Sequence, residues 1–159
     1  MEFFPAILTR EQSDAGVDWV EAHFERHGFG LCAAELRQER LFLGFIGLSI
    51  PAFEAPFMPA VEIGWRLAAD YWGRGLATEG AREMVRYAAE QLKLTALVSF
   101  TVPANVRSRR VMEKLGMSRN PADDFDHPSI PSGHPMRKHV LYRMGLAMPC
   151  GDRTGIGHS

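Results

Sequence analysis

Tyr71-Trp72-Gly73-Arg74-Gly75-Leu76-Ala77-Thr78-Glu79-Gly80 is a glycine-rich turn set between an alternating apolar strand and a long amphipathic stripe. Glycines let a backbone turn tightly and approach a ligand. Successive N–H groups at the start of a helix then point at anionic oxygens, assisted by the helix dipole. The segment therefore reads as a phosphate cradle. It lacks the GK[ST] ending of a P-loop, and the third glycine of a dinucleotide fingerprint would fall at Thr78.

Upstream of the turn, Val61, Ile63, Trp65 and Leu67 alternate with Glu62, Gly64 and Arg66, which predicts a strand with one polar face. Downstream, Ala77, Ala81, Met84, Val85, Ala88 and Leu92 recur at helical period, so a helix is expected to about Lys93. Residues 95–102 are β-branched and aromatic, hence a strand. Asn105 to Leu115 then forms a second helix closed by Gly116. Toward the N-terminus, two apolar runs, Gly30 to Leu36 and Leu41 to Ile50, flank Arg37-Gln38-Glu39-Arg40 as a hairpin. Before it, residues 10–27 read as a helix, with Thr9 and Gln12 as a capping box and Gly28 as the stop. Residues 51–59 are broken by three prolines, and residues 119–135, with four, predict a long loop before a last strand from Lys138 to Leu146. The pattern is an α/β domain over residues 1–146. The polar, glycine-rich stretch over 147–159 is expected to be a mobile tail.

Composition limits the partners. A net charge of −1 over 159 residues provides no basic field for nucleic acid. Cys32 and Cys150 form no CxxC pair, which points to a reducing compartment, with the cytoplasm as the simplest location. No apolar run approaches a membrane span, and no export signal follows Met1. Asp123, Asp124, Asp126, His127, His134 and His139 lack the spacing of a metal site, so no metal is expected.

Three motifs in order carry a family resemblance: Glu62-Ile63-Gly64-Trp65-Arg66-Leu67, the run from Tyr71 to Glu79, and the helix from Asn105 to Met117. Together they resemble the GNAT acyltransferases, in particular the RimJ/RimL-like branch. Trp72-Gly73-Arg74-Gly75-Leu76-Ala77 meets that family's [Q/R]xxGx[G/A] loop at all but the first position, where Trp72 departs. The resemblance implies a mostly antiparallel sheet splayed between its fourth and fifth strands, here residues 61–70 and 95–102. It also implies acetyl-CoA as acyl donor. Its pantetheine would lie along the strand ending at Arg66 and Leu67, with the pyrophosphate on the amides of Gly73, Arg74, Gly75, Leu76 and Ala77. Trp72, Thr78, Asn105 and Ser108 are implied nearby.

Glu62 is implied as the base that takes the amine proton, directly or through water, or else as a partly buried structural acid. Arg66 shares its face, but four residues along a strand is about 13 Å, so the two need not pair. The need for a base depends on the acceptor: an α-amino group of pKa about 8 is roughly a fifth neutral at cytoplasmic pH, a lysine only about 0.1%. Many relatives protonate the leaving thiolate with a tyrosine where this chain has Met112. Ser108 then stands in as a weaker hydrogen-bond donor, or is only a small packing residue. Asn105 is an N-cap, a pantetheine contact, or both. Arg107, Arg109, Arg110 and Lys114 either draw the CoA phosphates or form a solvated basic face, and Asp126 and His127 border the acceptor side. The implied acceptor is a primary amine on a protein N-terminus or a small molecule, with a homodimer left open. A non-catalytic acyl-CoA-binding module is the other reading. A typical relative also opens with a strand and helix ahead of residues 10–27, and this chain is expected to lack them. A misplaced start, completion by a partner subunit and loss of activity all fit that expectation.

Overall fold

The computed structural model describes residues 10–146. The expected capping box at Thr9 and the expected tail over 147–159 fall at least partly outside those residues. Helix α1 spans Arg10–His27 and leads into the hairpin of β1 (Leu31–Leu36) and β2 (Leu41–Ser49). Then come β3 (Glu62–Leu67), α2 (Leu76–Glu90), β4 (Ala96–Thr101), α3 (Val106–Lys114), β5 (Ser118–Arg119), β6 (Phe125–Asp126) and β7 (Lys138–Gly145). The sheet runs β1-β2-β3-β4-β7-β5, with β6 added to β7. Its pairings are antiparallel except one.

That exception places the site. β3 and β4 run parallel and meet at a single register pair, Glu62 with Val98, where the Val98 amide donates to the Val61 carbonyl at 2.9 Å. Beyond that pair the two strands form no further rungs. The sheet thus opens toward their C-terminal ends, and each end feeds a helix N-terminus, that of α2 or α3. The splay is the one the resemblance implied. It lies between the third and fourth strands of the described residues.

Alternation along β3 decides what each face carries. Ile63 is fully buried with Leu48, Leu97, Met112, Val140 and Tyr142 beneath Ala81 and Ala88 of α2. Each such large aliphatic side chain contributes roughly 1.5–3 kcal/mol by leaving water. Helix α2 comes close because Gly80 lacks a Cβ, which would sit 2.4 Å from Ile46 Cδ1. The helix stops at Glu90, earlier than the apolar stripe suggests, because Lys93 turns to φ 55° while the Leu94 amide bonds the Ala88 carbonyl.

The opposite face is aromatic. Phe57, Val98 and Leu141 are buried there, joined by Phe53, Phe100 and Phe125. The expected loop over 119–135 is partly structured for this reason: Phe125 and His127 must reach the rings, so β6 pairs with β7 through Phe125–His139 and Asp126–Lys138. Ion pairs Arg119–Asp124 and Arg143–Asp123 hold its start.

His23 on α1 is a buried polar clamp. Its Nε2 accepts from the Ile50 amide at 2.9 Å, which leaves Nδ1 to donate to the Phe29 carbonyl at 2.8 Å. It fastens α1 to the strands.

Candidate acyl-transfer site

Gly73 and Gly75 take φ of 75° and 73°, the left-handed region that side chains disfavour. A Cβ at either would meet nothing within 4 Å, so the requirement is conformational and not one of space. Gly75 is the N-cap of α2, and intrahelical bonding begins with the Glu79 amide donating to the Gly75 carbonyl. Helix geometry gives the amides of Leu76, Ala77 and Thr78 no acceptor within the helix. These oriented donors at the head of the helix suit a pyrophosphate. Arg74 is exposed at the crest, and Thr78 is buried beneath it.

Trp72 does more than lend its backbone. Its indole Nε1 donates to the Leu67 carbonyl at 2.8 Å, pinning the loop to the end of β3, and the Arg107 guanidinium lies 4.4 Å from the ring centroid. This cation–π contact joins the loop to α3 across the opening. Local sequence gave no sign of it, since Arg107 is 35 positions away.

At the other helix N-terminus, Asn105 Oδ1 caps α3 by accepting from the Ser108 amide at 3.2 Å, while its Nδ2 donates to Thr101 Oγ1 at 3.0 Å. Asn105 is thus an N-cap braced to the end of β4. Ser108 sits half-buried in the first turn. Met112 is only 1% exposed in the aliphatic core, so no acid can act from that position. The basic residues of α3 divide by role. Arg109 donates to the Tyr142 hydroxyl and the Pro103 carbonyl, which makes it structural. Lys114, with Arg82 of α2, lines a cleft of about 570 Å³ that also touches Gly75 and Thr78. Arg82 is exposed on α2, and the packing of α2 beside α3 brings it close to Lys114.

Glu62 lies where β3 and β4 part. Its side chain keeps some surface, yet burial of the carboxyl pushes its pKa up to about 8, and a hydrogen bond with Ser49 pulls the other way. Ser49, itself buried, is its register partner on β2. Sequence reading did not single Ser49 out, because only strand register sets it opposite Glu62. Arg66 is half-buried further along the same face, where burial lowers its pKa. Asp126 points outward and pairs with Arg137 at 3.8 Å. His127 turns the other way: its ring is 4.4 Å from that of Phe53 and 5.0 Å from that of His139. Its Nδ1 accepts from the Ser129 amide at 3.1 Å. Burial lowers the pKa of both histidines; the nearby His139 lowers that of His127 further, whereas the Arg137 carbonyl bonded to His139 Nδ1 works against the shift at His139. Among the described residues no group of three or more His, Cys, Asp or Glu could hold a metal ion. Nor is any helix long and apolar enough to cross a membrane.

A family model described as an acetyltransferase (GNAT) domain matches residues 1–118. The chain belongs to the GNAT acetyltransferase family. It is similar to the FsC-acetyl coenzyme A-N(2)-transacetylase of Aspergillus fumigatus, 47% identical over 57 residues, which span 36% of this chain and 24% of that protein. The acetyltransferase from Agrobacterium tumefaciens strain C58 superposes with a TM-score of 0.65 at 30% identity, over 89% of this chain and 74% of that one. The fold is also shared by yncA of Salmonella typhimurium, solved with its cofactor acetyl-CoA, with a TM-score of 0.67 at 16% identity over 92% and 82% of the two chains. Acetyl-CoA is the acyl donor of this family, and the loop, the parted strands and the two helix N-termini of this chain fit such a ligand.

Proposed function

We propose that this GNAT domain transfers the acetyl group of acetyl-CoA to a primary amine by direct attack within a ternary complex. The observation that carries the reading is the parting of β3 and β4 with Glu62 at its closed end and the glycine loop at its open end. A pantetheine arm extended between the two would bring the thioester to the carboxyl. In the reaction the amine nitrogen bonds to the acetyl carbon as the carbon–sulfur bond breaks. Glu62 takes the proton from nitrogen, directly or through water. Ser108 donates a hydrogen bond to the departing sulfur. Orientation against the thioester supplies much of the rate. With its pKa near 8, Glu62 is about a tenth ionised at pH 7, which suits an acceptor that is itself partly neutral, such as a protein N-terminus or a small α-amine.

Met112, buried where many relatives carry a tyrosine, favours one other reading: an acyl-CoA-binding module without turnover. One experiment tests both. Acetyl-CoA should raise the melting temperature, because a ligand that binds only the native state stabilises it. An amine panel of N-terminal peptides, lysine peptides, polyamines and aminoglycosides, read by product mass, should then yield an acetylated product. The absence of any thermal shift overturns cofactor binding. A shift with no product from the panel supports the binding module.

A further inference from the structure

The glycines of the sheet differ in why they are there. At Gly44, φ is 141° and an added Cβ would lie 1.9 Å from the Arg66 carbonyl oxygen. At Gly47 it would lie 2.4 Å from the Gly30 carbonyl oxygen and 2.7 Å from Leu31 Cα. Both are imposed by the backbone around them. Gly64, the register partner of Gly47 on β3, has no positive φ. The one atom an added Cβ would meet within 4 Å is Glu62 Oε1, at 3.8 Å. Neither conformation nor packing asks for glycine there, and a glycine inside a strand weakens it. What remains is the space itself, which adjoins the carboxyl oxygen and keeps some exposure to solvent.

We infer that Gly64 sets the acceptor specificity of the site: the space it leaves beside Glu62 receives the substituent on the carbon that bears the attacking amine. The inference rests on the acetyl-transfer reading above. An amine nitrogen that hands its proton to Glu62 stands within about 3 Å of the carboxyl oxygen. Its α-carbon is then one bond further out, and a substituent on that carbon reaches the volume that a Cβ at position 64 would enter. An amine on an unbranched carbon has no need of that volume, whereas one carrying a side chain does. The substrate class is therefore an α-substituted primary amine, such as a chain beginning with alanine, serine or a larger residue.

The test uses Gly64→Ala and a series of tripeptide amides beginning with glycine, alanine, valine or phenylalanine, with butylamine and sec-butylamine as small amines. Gly64→Ala should lower kcat/KM for the α-substituted members by about tenfold or more, mainly through KM, the scale of one misfitting methyl group in a pocket. The glycine-initiated peptide and butylamine should stay within about twofold. The Kd for acetyl-CoA should be unchanged and the melting temperature not lowered, whereas Gly47→Ala should lower it. An equal loss for every amine, a weakened grip on acetyl-CoA, or no change at all overturns the inference while leaving acetyl transfer intact. Failure of the unaltered protein to acetylate any member overturns both.

Discussion

Beneath α2, the sheet packs aliphatic side chains so tightly that Leu48, Ile63, Leu97 and Val140 show 1% or less of their surface. On the opposite face, around β4 and β7, six rings from Phe53, Phe57, Phe100, Phe125, His127 and His139 meet at centroid separations of 4.4–6.3 Å, and several of them stay half-exposed. The first face is held by secondary structure on both sides, the second by loop segments laid over strands. Glu62 belongs to the second face, because it is out of phase with Ile63 on the same strand. The difference teaches that this sheet separates its tasks by side-chain parity: odd positions of β3 hold the fold together, and even positions are free to serve chemistry.

The contrast breaks most severely at the aliphatic face. Ile63→Ala should cost about 2–5 kcal/mol in chemical denaturation, through lost transfer energy and a cavity that α2 cannot close. Phe53→Ala, on the half-exposed aromatic face, should cost less than half as much. Equal losses would show that the faces are one core.

Glu62→Gln sharpens the division by moving activity and stability in opposite directions. If Glu62 is the base, its loss should lower kcat by about 100-fold and flatten the rise in rate expected of the unaltered protein as pH climbs through about 8. For stability, the folded-state pKa lies above the usual 4.5, so native protein holds a proton that the unfolded chain releases as pH increases from about 4.5 toward 8. Wild type thus loses stability over that window. The glutamine variant should not, and should be the more stable protein at pH 8 by on the order of 2 kcal/mol, a figure discounted for the partial exposure of the residue. Paired pH–rate and pH–melting curves read both effects.

The smallest effect concerns the two histidines. Burial lowers their pKa from 6.5, so they contribute stability above about pH 6.5 that is lost as pH falls through their folded values. His139→Phe keeps a ring in place and should reduce, by about 1 kcal/mol or less, the stability lost between pH 7 and pH 5. An acid response identical to wild type would assign that loss elsewhere.

The order of elements was legible in the sequence because each announces itself locally. Period-2 alternation marked β3, the glycine pair marked the loop, and Asn105 marked the start of α3. The candidate site was legible only in part. Glu62 and the loop stood out, but what tunes them comes from afar: Ser49 through strand register, Arg107 through a stack on Trp72, and the ring assembly through three separate segments. Asp126 and His127 are neighbours in sequence that the β6–β7 pairing sends to opposite sides, a distinction that no reading of composition could make.

The Trp72 pin also gives the molecule an optical gauge. Its indole is half in water, hydrogen-bonded at one edge to the end of β3 and covered on its face by a cation from α3. A cofactor phosphate settling on the adjacent amides, as the proposed function requires, would compete for that same cation, and a change in the stack would alter quenching of the ring. Under the proposed function the arrival of cofactor should therefore register in emission from a residue inside the cradle, without a label and without turnover.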